Sequence, residues 1–478
     1  MVEPKKAAVC ILRNVQGEVL LGKRNYSMRF MGGHHVFPGG RVDPTDHVDF
    51  VAGIDDEELG ASIFAVAREV YEETGILCSR SGNFDPDVMR KFRVELLNNS
   101  MDFPTILKEL DARIDGAHFE KAGHWVTPAS SPIRFDTQYF LYHFDGQQSF
   151  DLIEGEFIEL GWMMPQAARD RWHREEIELS PPVAHTLHHL ATVAHPEVLE
   201  LLDRDTQRTP GTPKRQEIRR GIQYIPLNTK TIPPATQTNC IVIGDERLLI
   251  IDPGSDDPGE LELLKSQLDH FIELGSTLEA IVLTHSHHDH TDGVPFLQET
   301  YDLPIWAHAK TDEQIKYTVD RHIEDNEIIE LPGDPGWRLK ALYTPGHDPG
   351  HLSFYEESTR IIFCGDMIAN PGTIVVAKAF GGDMQEFIDS LERLIAIEEA
   401  ELVVPAHGMF LENPPEEIGK HKKHRLWREE KIRTAWDAGT HTIAGLLEAA
   451  YHDTPKEAMQ LAEHVLKAHL DKLGLQPE

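Results

Sequence analysis

The sequence predicts a multidomain protein of layered α/β and α+β construction, and three observations carry that prediction. The chain has 478 residues, too many for one hydrophobic core. Short apolar segments of strand length alternate with apolar residues at helical spacing, the pattern of sheets covered by helices. Between residues 205 and 220 lie two prolines, few apolar residues and a local excess of base, and this stretch separates two textures.

The elements follow in order. Residues 7–12 (Ala-Ala-Val-Cys-Ile-Leu) read as a strand, Asn14–Glu18 as a turn, and Val19–Leu21 as a returning strand. A loop rich in glycine and histidine leads to Phe37-Pro38-Gly39-Gly40. Residues 61–74 form a helix candidate with Ile63, Val66, Ala67 and Val70 on one face. After the break, Cys240–Ile243 and Leu248–Ile251 read as strands, the second ended by Asp252-Pro253-Gly254. Glu279–Thr284 is a further strand that runs into a histidine cluster. From about Pro414 the chain reads as helical and opens with Lys420, Lys422, Lys423, Arg425 and Arg428. The expected domains are residues 1–205, a linker 206–220, residues 221–413 and a small tail 414–478.

Composition narrows the partners. An apolar content of 40% is ordinary for a globular chain, and a net charge of −34 disfavours broad nucleic-acid binding. Cys10, Cys78, Cys240 and Cys364 are far apart, which suits buried thiols in a reducing compartment rather than a disulfide framework. The first residues lack a signal-peptide core and no apolar run approaches membrane-spanning length. The expectation is a cytoplasmic protein with no membrane association.

The strongest chemical signal is Thr284-His285-Ser286-His287-His288-Asp289-His290. Imidazole and carboxylate are good donors for zinc and similar divalent metals. A loop leaving a buried strand can aim His285 and His287 at one ion, and Asp289 and His290 at a second. Further donors stand downstream at His347 (Thr344-Pro-Gly-His347), Asp366 (Phe363-Cys-Gly-Asp366) and His407 (Pro405-Ala-His407). The bland alternative, a solvated histidine loop, does not account for seven such positions at strand ends.

These residues resemble the metallo-β-lactamase superfamily pattern H-x-H-x-D-H followed by H, D and H. The resemblance implies an αββα sandwich with two Zn, or Fe or Mn, ions. His285, His287 and His347 would bind one ion and Asp289, His290 and His407 the other, with Asp366 bridging and His288 left out. Two such ions would activate a shared water and polarise the bond it attacks. Within the superfamily, Thr238-Asn239, Thr344–His351 and Asp389–Leu394 resemble the β-lactamase-like protein 2 and glyoxalase II types. Residues 414–478 are similar to the winged-helix-like tail of the former. His351 is placed either for a substrate contact or for a structural role. Members of these groups include thioesterases of carrier-bound acyl chains and single-strand RNA endonucleases.

The second signal is Arg68-Glu69-Val70-Tyr71-Glu72-Glu73-Thr74-Gly75-Ile76. Glu69, Glu72 and Glu73 share one helix face at i, i+3, i+4, and clustered hard oxygens suit Mg²⁺ or Mn²⁺. The segment resembles the Nudix box, which implies an α/β/α sandwich whose three glutamates serve catalysis through the metal. Leu20–Arg24, Arg29 and Phe37–Gly40 resemble the coenzyme A diphosphatase branch. Arg24, Arg29 and Arg68 are accordingly expected to meet a diphosphate. The box is interrupted: Ile54 and Gly60 stand where it carries a glycine and a glutamate, Asp43–Leu59 reads as an insertion, and Glu57 or Glu58 is the candidate replacement. His34, His35, His118, His124 and His185 lack metal-ligand spacing.

The reading that unites both halves is a bifunctional hydrolase. One site would cut a thioester such as an acyl-coenzyme A, the other the diphosphate of a coenzyme A-like nucleotide. The alternative makes the second half an endoribonuclease using the Lys420–Arg433 stretch, with the first half a nucleotide-sensing or scaffolding module.

Overall fold

The computed structural model describes residues 3–28, 31–46, 51–79, 84–127, 133–153, 155–207 and 216–478. They form two compact units, Met1–Arg220 and Gly221–Glu478. Arg29 and residues 208–215 of the expected linker lie outside the described residues. Of the linker's flanks, residues 206 and 207 end the helix Glu197–Gln207 and Gln216–Arg219 is a strand.

The first unit is built on a sheet with Lys5–Arg13 near its centre, parallel to Phe135–His143 and antiparallel to Val19–Arg24. The strand-period alternation sorts its side chains onto two faces. Ala8, Cys10 and Leu12 pack with Ile63, Phe64, Val66, Ala67 and Val70 of the helix Glu57–Thr74. Ile11 packs on the other side with Trp172, Val183, Leu187 and Leu202 from three further helices. The result is an α/β/α sandwich. The glutamate-bearing helix begins four residues before the expected 61. Asp56 caps it by accepting from the backbone N–H groups of Glu58 and Leu59, and Glu57 and Glu58 suit the positive end of the helix.

In the second unit, six strands of one sheet run in the order Ile222–Asn228, Gln237–Ile243, Arg247–Ile251, Thr277–Val282, Ile305–Ala307 and Arg321–His322. A second sheet orders Ile328–Leu331, Trp337–Tyr343, Leu352–Glu356, Ile361–Asn370, Leu402–Gly408 and Leu411–Glu412. Leu264, Leu268 and Phe271 of the helix Pro258–Glu273 cover the first sheet. The helix Met384–Ile395 and the tail helices Pro414–Asp437, Ile443–Tyr451 and Met459–Leu473 share one core with the second sheet. The tail is therefore helical, as its sequence suggested, but it packs as an outer layer rather than around a core of its own. Side-chain amide N–H groups of Asn239 join the sheets by donating to the carbonyls of Pro405 and Gly408, each at 2.8 Å.

All four cysteines are buried and unbridged. Among the described residues no helix is long and apolar enough to cross a membrane.

Candidate metal centre and glutamate cleft

Thr277–Val282 ends in a loop that delivers His285 and His287, and the short helix His288–Thr291 turns Asp289 and His290 back toward them. Gly254 permits this turn: a Cβ there would lie 1.7 Å from the carbonyl oxygen of Asp289. The second sheet supplies Asp366 from Ile361–Asn370 and His407 from Leu402–Gly408, while His347 comes from the loop after Trp337–Tyr343.

The donors gather in two groups. Ligand atoms of His285, His287, His347 and Asp366 lie within 4.8 Å of one another, as do those of Asp289, His290 and His407. Asp366 links them, with Oδ2 3.3 Å from His347 Nε2 and Oδ1 3.4 Å from His407 Nε2 and 3.6 Å from His290 Nε2. His288 points away and is exposed.

Oxygen atoms fix the imidazoles of His285, His290, His347 and His407. Nδ1 of His290 donates to Asp252 at 2.9 Å, and those of His347 and His407 donate to the carbonyls of Val375 and Gln237, both at 2.9 Å. The Thr284 hydroxyl donates to Asp252 at 2.6 Å and so accepts from Nδ1 of His285 at 2.9 Å. These bonds set the tautomer and turn each Nε2 lone pair toward the centre. His287 presents Nδ1 instead, 3.1 Å from His285 Nε2 and 2.9 Å from His347 Nε2. Asp252 ends its strand in the left-handed region at φ 50°, a strained conformation that aims its carboxylate at both Thr284 and His290.

The donor set fits cations. His290 Nε2 and Asp366 Oδ1 are buried without a hydrogen-bond partner. Burial and the surrounding imidazoles hold His285 well below its ordinary pKa, and burial takes His287 down to about 4, leaving neutral ligands. Burial opposes charge on His290, but the carboxylates of Asp252 and Asp366 outweigh it and raise its pKa to about 10. The second group thus calls for positive charge, which a metal supplies.

His351 lies inside the protein. It is fully buried, and Nε2 accepts the backbone N–H of Asp366 at 3.0 Å while Nδ1 meets Thr344 Oγ1 at 2.9 Å. Asp252 went unrecognised as a partner of His290. Its signal was its place at a strand end, in Asp252-Pro253-Gly254.

In the first unit, Glu69, Glu72 and Glu73 line one cleft with Asn98, Glu156 and Phe157. Their carboxylates are not drawn to a common point as the second unit's donors are. Gly39 N–H donates to Glu73 Oε2 at 2.8 Å, while Glu73 Oε1 is buried without a partner. A Cβ on Gly40 would lie 2.3 Å from Cδ of Glu69, so the Gly39-Gly40 pair lets the strand approach the glutamates. Burial raises the Glu69 carboxyl to about 7 despite the neighbouring Arg68, and drives Glu73 well above its usual range, with Glu156 adding to it. Such a cleft favours a cation among its oxygens.

Arg68 is bound within the protein. All five guanidinium N–H groups are taken inside the protein: Nε and Nη2 grip Asp46 at 3.0 and 2.9 Å, and Nη2 also meets the Arg41 carbonyl at 3.1 Å. Nη1 donates to Glu69 at 2.8 Å and Glu72 at 3.3 Å. None is left for a diphosphate. Asp46, 1% exposed, is the carboxylate that grips Arg68. Glu57 and Glu58 occupy the first turn of the helix, and Glu58 pairs with Lys6 at 2.8 Å. Arg24 reaches the cleft through an ion pair with Glu156.

The cationic stretch of the tail is largely neutralised. Lys420 pairs with Glu417 at 2.7 Å, Lys422 with Glu392 at 2.5 Å and Arg428 with Asp453 at 2.5 Å, and buried Arg425 donates to the Ile374 carbonyl. This arrangement weakens it as a phosphate-binding track.

Comparison with known proteins finds a family for each half of the chain. Residues 233–407 match the family model described as Metallo-beta-lactamase superfamily, and residues 54–190 match that of the NUDT19 Nudix domain. The Hydroxyacylglutathione hydrolase of Edwardsiella ictaluri is 32% identical over 42% of this chain and 72% of its own length. The Atrochrysone carboxyl ACP thioesterase of Passalora fulva is 32% identical over 41% of this chain and 56% of its own. Putative nudix hydrolase 7 of Caenorhabditis elegans is 29% identical over 39% and 60%. The chain therefore spans little more than half to about three quarters of these relatives.

Proposed function

We propose that this chain, which belongs to the metallo-β-lactamase superfamily and carries a Nudix domain before it in sequence, hydrolyses coenzyme A thioesters in its second half and the coenzyme A diphosphate in its first. Both domains are of hydrolase families. The observation that carries the reading is the convergence of His285, His287, His347 and Asp366 beside Asp289, His290 and His407. In this reading the seven residues are the ligands of two ions, with Asp366 shared.

Divalent ions held there would supply an activated water and a Lewis acid. The chain's own part is to hold the imidazoles. Asp252, Thr284 and the carbonyls of Val375 and Gln237 keep the Nδ1 protons of His290, His285, His347 and His407, so these four need not reorient during turnover. In thioester hydrolysis the water oxygen joins the acyl carbon, the carbon–sulfur bond breaks, and the thiol departs with the proton. Two relatives, a hydroxyacylglutathione hydrolase and an ACP thioesterase by name, support this bond class.

In the first half, Glu69, Glu72 and Glu73 would hold Mg²⁺ or Mn²⁺ beside a diphosphate, with Arg24 and Arg29 as the candidate cationic contacts. Water adds at phosphorus and the phosphoanhydride bond breaks, releasing two phosphate monoesters. The two sites are separable by substitution. Thiol release from an acyl-coenzyme A is expected with Glu72→Gln and not with Asp289→Ala; absence of thiol release with Glu72→Gln would sink the thioesterase reading.

A further inference from the structure

Away from both sites, Glu120, His143 and His195 come together from three parts of the first unit. Glu120 lies on the strand Phe119–Val126, His143 ends the neighbouring strand Phe135–His143, and His195 lies just before the helix Glu197–Gln207. Nε2 of His143 is 3.1 Å from Glu120 Oε2, and Nε2 of His195 is 3.2 and 3.1 Å from Oε1 and Oε2. One ligand atom from each residue falls within 4.8 Å of the other two.

The geometry repeats a feature of the second unit. The His143 and His195 rings stand at 88° with centroids 5.1 Å apart. The His285 and His347 rings of the metal centre stand at 83° and 5.1 Å, and His347 Nε2 is 3.3 Å from the Asp366 carboxylate. A lone histidine–glutamate hydrogen bond requires only one imidazole. Here two imidazoles bring the same ring nitrogen to one carboxylate oxygen from perpendicular planes, as ligands around a shared ion do.

We propose that Glu120, His143 and His195 form a separate metal site that takes Zn²⁺ or another first-row divalent transition ion. Two imidazoles and a carboxylate suit those ions rather than Mg²⁺, whereas the glutamate cleft offers hard oxygens alone. The side chains of His143, Glu120 and His195 are 54, 33 and 32% exposed, so water completes the coordination and the ion exchanges with solvent. Phe119–Val126 is the edge strand of its sheet. The bound ion fastens the segment before the helix Glu197–Gln207 to that edge.

The test uses the full chain, stripped with chelator and dialysed against micromolar Zn²⁺ with excess Mg²⁺ to fill the glutamate cleft. Bound zinc is counted by inductively coupled plasma mass spectrometry. The His143→Ala/His195→Ala variant is expected to carry one Zn²⁺ fewer per chain than the parent, with thioesterase activity retained. The same substitutions are expected to remove one Zn²⁺ again in a His287→Ala/His407→Ala background. Glu120→Gln, which keeps the shape but not the charge, is expected to weaken zinc binding at this site. Equal zinc content with and without His143 and His195, in both backgrounds, overturns the proposal.

Discussion

The backbone N–H of Asp366 donates to Nε2 of His351 at 3.0 Å, tying the strand that carries one candidate ligand to the loop that carries another, His347. The bond spends the acceptor nitrogen of a fully buried imidazole on holding Asp366 in place. His351→Phe keeps a ring and deletes the acceptor. Loss of such a supporting contact costs about 10–100-fold in metal affinity, and hydrolysis is expected to fall with it. Competition against a chromophoric chelator measures the affinity; an unchanged value contradicts the role.

Asp46 is expected to matter to the glutamate cleft although it does not line it. Asp46→Ala frees the Nε and Nη2 side of Arg68, so Nη1 no longer holds Glu69 and Glu72 in register, and Mg²⁺-dependent diphosphate cleavage should drop about tenfold or more. Removing a hydrogen-bonded charge partner also costs roughly 1.5–3 kcal/mol of stability. Asp46→Asn retains one acceptor and should lose less of both, as read by cleavage rate and by melting of the first unit.

Glu429 gives the tail an acid-sensitive anchor. His469 and Lys472, whose Nζ lies 2.7 and 2.8 Å from the two carboxylate oxygens, lower its pKa from the ordinary 4.5 to about 2. A depressed carboxyl stabilises the folded state fully above its unfolded pKa, and that contribution fades as pH falls toward the folded value. Glu429→Gln should therefore lower the melting temperature of the second unit at neutral pH, with the gap closing between about pH 4.5 and 2. A gap that stays constant over that window contradicts the pairing.

Metal removal should destabilise the second unit. Each ion present at 100 times its Kd adds about 2.7 kcal/mol, and without it His290 Nε2 and Asp366 Oδ1 stay buried and unsatisfied. Calorimetry with and without chelator should show the transition of this unit falling and recovering on Zn²⁺ addition. A transition indifferent to chelator would mean that the imidazoles hold no structural ion.

The sequence made the candidate metal centre legible because its donors are marked by local spacing and small neighbouring residues in or just after strands. His285 to His290 lie within one short stretch of chain, His347 follows a strand, and Asp366 and His407 lie within strands. The supporting residues were hidden because nothing local marks them. Asp252 reaches His290 across 38 positions and Asp46 reaches Arg68 across 22. Arg68 itself looked like a substrate arginine, since only the fold shows that its donors are all spent. Glu156 joins the cleft from a segment that carries no motif, and Glu120, His143 and His195 meet only when a sheet edge and a later turn are brought together.

The most direct test of the account is one incubation of the full chain with a short acyl-coenzyme A, Zn²⁺ and Mg²⁺, followed by mass spectrometry of the products. Free coenzyme A is expected from the second-half site, and acyl-phosphopantetheine with adenosine 3′,5′-bisphosphate from the first. Asp289→Ala should abolish only the former and Glu72→Gln only the latter. Intact substrate in the presence of metal-loaded protein would contradict the coenzyme A reading of both sites.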